Sequence, residues 1–120
     1  MKKISFICVF CIAIMTLSVS VAVAEEQGLP KILMLTQPSC PACIAVKSVL
    51  NEVQNYYFVE IEEFNVREDM SVARKYGATR TPFLIFFDEE REEIGRLEGR
   101  VSKEEILLVF NEAGIELEKK

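Results

Sequence analysis

The chain has no histidine and no tryptophan among its 120 residues. Without histidine, Cys-His and Ser-His-Asp catalysis, haem ligation by imidazole and most zinc-site types are excluded. Positive charge is also scarce: 14 Lys and Arg stand against 19 Asp and Glu, a formal net charge of −5. That sign argues against nucleic acid as a partner. No repeat, low-complexity tract or linker long enough to separate two domains is present, and the length bounds the chain to one domain. What is plentiful is apolar: 50% of the residues are hydrophobic, so a packed core is expected rather than disorder.

The N-terminus stands apart. Lys2 and Lys3 precede an uncharged run from Ile4 to Ala24, and Ala22-Val23-Ala24 forms an A-x-A pattern before Glu25. A positive start, an apolar middle and a small-residue end predict a secretory signal peptide over residues 1–24, cleaved after Ala24. The rival reading is an uncleaved anchor, since the run is just long enough to span a bilayer. The folded domain is then 25–120, periplasmic or secreted, or else anchored and facing the periplasm. It keeps 12 basic and 19 acidic residues, a charge of −7. Cys8 and Cys11 lie inside the apolar run and read as small hydrophobes. Cys40 and Cys43 remain, in a compartment where disulfides persist.

Ile32 to Leu35 is a short continuous apolar run, which predicts a strand buried on both faces. From Pro41 the period changes. Val46, Val49, Leu50 and Val53 make one helical stripe, with Pro41 at the first helical position and Cys40 as N-cap. Tyr57 to Val66 reads as a strand whose alternation slips at Glu63-Phe64, where a bulge or the strand end is expected. A short helix follows over Glu68 to Tyr76 and stops at Gly77. Phe83 to Phe87 is a second buried strand, Asp88 to Glu93 a charged turn, and Ile94 to Glu98 an edge strand. Ser102 and Glu105 form a capping box that opens a last helix with Ile106, Val109, Phe110 and Ala113 on one face, ended by Gly114. The order β-α-β-α-β-β-α predicts an α/β fold, a four-stranded mixed sheet flanked by helices.

Chemistry concentrates in Cys40-Pro41-Ala42-Cys43. The first turn of a helix presents unpaired N–H groups and the positive end of the dipole, both of which favour a thiolate at Cys40. A thiolate is the attacking species in disulfide exchange and, when its pKa is low, the better leaving group. Cys40 is therefore assigned to attack and Cys43, one turn further in and more buried, to resolve, with a Cys40–Cys43 disulfide as the oxidised state. Three other readings stay open: a fixed disulfide in a redox-inactive interaction module, half of a zinc site, and a copper(I) module built on the two thiolates.

The rest of the chain resembles the thioredoxin superfamily from Ile32 to about Ala113. The resemblance rests on the Cys pair after a buried strand, Lys75-Tyr76-Gly77 closing a short helix, Thr81-Pro82 before Phe83 to Phe87, and Gly99 after the edge strand. It implies a minimal, glutaredoxin-sized thioredoxin-like fold and a thiol–disulfide oxidoreductase. It further implies a cis Pro82 lying against the Cys pair, and a Thr81 backbone that pairs with an extended substrate segment. Ser39, Pro41 and Ala42 complete the active-site loop. The departures are specific. Ser39 stands where thioredoxins carry Trp, and Met34 where they carry a buried Asp, which leaves the proton acceptor for Cys43 unassigned. The glutathione-holding stretch of glutaredoxins is absent near Gly99-Arg100-Val101. Ala42 stands where periplasmic disulfide oxidants carry His. No room exists between Asn55 and Pro82 for their inserted domain, and no isomerase-type dimerisation domain precedes the fold, so a monomer is expected. The implied partners are protein thiols and disulfides and an unidentified redox partner. No cofactor and no metal are called for, and the direction of exchange depends on the potential and the partner.

Bland readings cover the remaining features. Asp88 to Glu93 is a solvated hairpin tip, Tyr56, Tyr57 and Phe58 a strand start, and Lys47 a solvent-facing helix position.

Overall fold

A computed structural model describes residues 28–120. The expected signal segment, its Ala24 cleavage site and the Cys8 and Cys11 positions lie outside the described residues. Seven elements follow in order: β1 (Lys31–Thr36), α1 (Pro41–Tyr56), β2 (Glu60–Asn65), α2 (Ser71–Tyr76), β3 (Phe83–Phe87), β4 (Glu93–Glu98) and α3 (Lys103–Glu112). They build one four-stranded sheet in the order β2-β1-β3-β4. β2 runs parallel to β1, as a strand returned through a helix does, and the other two pairings are antiparallel.

The continuous apolar runs of β1 and β3 are explained by what covers them. Ile32 and Met34 of β1, with Leu84 and Phe86 of β3, face α1 and α3 in one core cluster. Leu33 and Leu35, with Phe83 and Ile85, face α2 in a second. Both strands are central, so neither face is left to solvent. On α1, Val46, Leu50 and Val53 are buried as the stripe predicts, and Val49 is half-buried at its margin. On α3, Ile106 and Phe110 are buried, and Phe110 meets Phe86 edge to face with ring centroids 5.4 Å apart. Ser102 and Glu105 form the reciprocal cap at its start.

Three expectations need correction. Of the two alternatives for β2, the bulge at Glu63-Phe64 is absent, since pairing with β1 is continuous from Lys31↔Glu60 to Thr36↔Asn65, and the strand ends one residue past Phe64. Glu63 keeps the phase of Ile61, and Phe64 turns to the second core beside α2. The apparent slip is a charged residue on an inward-phased position of an edge strand. The irregularity lies instead between Phe86 and Phe87, opposite β4. The short helix starts at Ser71, because Asn65 and Asp69 side chains accept the N–H groups of Arg67 and Ser71 in a preceding turn. Ala113, expected on the buried face of α3, is exposed and serves as its C-cap.

After Gly114 the chain returns to the body. Tyr57 bridges Lys119, Phe58 N–H donates to the Glu118 carbonyl, and Leu117 enters the first core.

α3 lies so close on β4 that a Cβ at Gly95 would fall 2.8 Å from Val109 Cγ1. Val is stiff at χ1, so the helix itself must give. Gly95→Ala is expected to cost about 1–3 kcal/mol of stability in urea unfolding, as overpacking does, and Val109→Ala in the same chain to recover part of that loss. An unchanged urea midpoint for Gly95→Ala would contradict this seating.

Candidate active site

β1 ends at Thr36 and delivers the chain to a tight loop. Ser39 adopts φ 59°, a left-handed conformation uncommon outside glycine. The loop aims Cys40 at the start of α1, where it is the N-cap and Pro41 follows at the first helical position. Cys40 Sγ accepts the Cys43 N–H at 3.2 Å, and the Cys40 carbonyl accepts from Ile44. No acidic residue lies in this first turn to offset the dipole. Cys40 and Cys43 are disulfide-bonded, with Cα atoms 5.2 Å apart. Both are nearly buried, Cys40 at 8% exposure and Cys43 at 4%. Pro41 is exposed and Ala42 half-buried.

Across from the pair, 41 residues on in sequence, lies the loop into β3. The Thr81–Pro82 peptide bond is cis. The Thr81 carbonyl oxygen approaches Cys40 Sγ to 4.0 Å and the Thr81 hydroxyl to 3.9 Å. Pro82 is fully buried, and its carbonyl accepts the Gly99 N–H at 2.9 Å. Among the described residues, no backbone N–H donates to the Thr81 carbonyl. The loop is steadied from behind by Arg96 of β4. Its guanidinium donates to the Tyr76 carbonyl and lies 5.8 Å from the Tyr76 ring and 5.9 Å from the Phe83 ring. The same guanidinium binds Glu93 and holds that carboxyl below its usual range.

The floor under the pair is apolar. Met34 is 1% exposed in the same cluster as Cys40 and Cys43, and among the described residues no charged side chain is buried. Lys47, expected to face solvent, is exposed but paired: its Nζ lies 3.0 Å from Glu63 Oε2.

Two features of the surround escaped the sequence. Ile44, next to Cys43, is 70% exposed. Beside Thr81 a cleft of about 180 Å³ opens, lined by Val66, Met70, Ala73, Ala78 and Arg80 among others. Its lining comes from four separate stretches, so no local pattern announces it.

This arrangement can be compared with known proteins. A family model described as a thioredoxin-like domain matches residues 17–114. The chain is 40% identical over 57 residues to a thioredoxin of Methanocaldococcus jannaschii, a match covering 46% of this chain and 67% of that protein. It is 28% identical over 69 residues to the SPbeta prophage-derived thioredoxin-like protein YosR of Bacillus subtilis, covering 58% and 81%. Among solved structures, a Plasmodium falciparum thioredoxin superposes with a TM-score of 0.64 at 17% identity, over 79% of this chain and 77% of that one. Thioredoxin O2 of Arabidopsis thaliana gives 0.60 at 22% identity, over 71% and 75%. The superpositions establish the shared fold, and with the family match over most of the sequence they place the chain in the thioredoxin superfamily.

Proposed function

We propose that this protein exchanges disulfides with protein substrates outside the cytoplasm. Membership of the thioredoxin superfamily together with the Cys40–Cys43 pair supports thiol–disulfide oxidoreductase activity. The observation that carries the finer reading is the position of Cys40 Sγ. It sits at a helix N-terminus, accepts a backbone N–H, and faces a Thr81 carbonyl that no backbone N–H occupies among the described residues.

In the reductive direction Cys40 attacks as a thiolate. Its N-terminal position favours that form. A substrate disulfide breaks, one substrate sulfur leaves as thiolate, and the other joins Cys40 in a mixed disulfide. Cys43 then closes the Cys40–Cys43 bond and releases the second substrate thiol. In the oxidative direction the same steps run backwards. The substrate segment around the attacked sulfur lies extended against Thr81, whose carbonyl accepts its N–H as a strand partner would. The cleft beside Thr81 takes a neighbouring apolar side chain of that segment against Val66, Ala73 and Met70.

Turbidimetric reduction of insulin by dithiothreitol is expected to accelerate with the wild-type protein. Cys40→Ser should fall to the uncatalysed background, and Cys43→Ser should accumulate a mixed disulfide on Cys40. Equal rates for wild type and Cys40→Ser would overturn the proposal. Filling the cleft with Ala78→Leu is expected to raise KM for insulin several-fold, about 1 kcal/mol of lost contact, while leaving reaction with a small aromatic disulfide unchanged. A loss on both substrates would place the cleft outside substrate binding.

The proposed site of action is supported by the N-terminal segment, which we read as a signal peptide cut after Ala24. Intact-mass measurement of the exported protein should give a chain starting at Glu25. A chain retaining residues 1–24 would make it membrane-anchored instead.

A further inference from the structure

Resolution requires Cys43 to lose its proton. Cys43 is 4% exposed among apolar neighbours, an environment that favours the neutral thiol. Met34, in the same core cluster, offers nothing that accepts a proton. A strand position that does lies beside Met34 on β2. Glu63 is the register partner of Met34 on the adjacent parallel strand, so both project from the same face of the sheet. That is the face of α1: Ile61, two residues earlier in the same phase, packs against the cluster that contains Cys43. Lys47 is four residues after Cys43 on α1, the spacing that sets side chains one above the other. Its ammonium holds Glu63 Oε2 at 3.0 Å.

The pair therefore straps the edge strand to the turn of α1 that follows Cys43. At 56% and 37% exposure it contributes little to stability, but water reaches it. Other charged groups on the neighbouring elements are engaged elsewhere. Lys31 and Glu62 pair on the opposite face of the sheet, and Lys103 pairs with Glu52 further along α1.

We infer that Glu63, oriented by Lys47, accepts the Cys43 proton through water during resolution. The Cys43 S–H proton passes to the Glu63 carboxylate, and the Cys43 thiolate attacks Cys40 Sγ. The Cys40–Cys43 bond forms as the Cys40–substrate bond breaks. The electron pair leaves on the substrate sulfur, which takes a proton from Glu63 or water. The Cys pair is oxidised by two electrons and the substrate disulfide reduced by two. This role rests on the exchange activity proposed above and adds to it the residue that makes the second step fast.

The test is single-turnover reaction of the fully reduced full-length domain with a disulfide-bonded peptide, following mixed-disulfide formation and resolution separately. Glu63→Gln is expected to form the mixed disulfide at the wild-type rate and to resolve it about a hundredfold more slowly at pH 7, the low end of general-base effects. The deficit should shrink towards pH 9, where solvent deprotonates Cys43 directly. Glu63→Asp should recover part of the rate, and Lys47→Gln should slow resolution a few-fold. Resolution by Glu63→Gln at the wild-type rate, or equal slowing of both steps, overturns this role alone. Failure of the wild type to form a mixed disulfide overturns the exchange activity itself, and this role with it.

Discussion

The first turn of α1 is held at the C-terminal end of β1, and the site depends on that seating. β1 is buried on both faces, so its register and direction are set by two cores at once. Cys40 as N-cap starts the helix, and Pro41 at the first helical position brings no N–H of its own to be paired. The Cys43 N–H of that turn then donates to Cys40 Sγ. A shift in β1 of one residue would exchange Met34 for Leu33 beneath the pair and send every inward side chain to the wrong core.

The distribution of charge complements this apolar frame. Among the described residues no charged side chain is buried, and the ion pairs lie at the surface. Little of the fold's stability comes from them, and their value is positional. Arg96 fixes the end of α2 against β4 and so the loop that presents Thr81. Lys47 and Glu63 tie β2 to α1 beside Cys43. The exposed carboxylates at Glu60, Glu62 and Glu63 also make β2 a poor template for a further strand, as an edge should be. A core that stays wholly apolar leaves proton transfer to be served from the side, through water, rather than from beneath.

Much of the fold was legible because its signals are local. The two buried strands, the α1 stripe, the Gly77 stop and the Ser102–Glu105 cap are patterns within a few residues, and each stands where the pattern implies. The slip at Glu63 suggests a bulge because periodicity reads a charge as a change of face, whereas Glu63 stays on the α1 face of the sheet, exposed at the edge, and pairs with a lysine that periodicity alone assigns to solvent. The C-terminal return through Leu117 to Tyr57 has no periodic signal, since one buried residue and one bridge suffice to hold it.

By itself the sequence determined the element order, the helix start at Cys40 and the spacing that puts Cys43 one turn inside it. Those follow from backbone propensities and from an N-cap geometry contained within four residues. Tertiary structure alone decided what surrounds the pair. It brought Thr81 within 4.0 Å of Cys40 across 41 residues, opened the cleft from four separate stretches, and set Glu63 beside Met34 within reach of Lys47. Contacts between distant segments are selected by the packing of the whole sheet and its helices, and no short stretch of sequence encodes that packing.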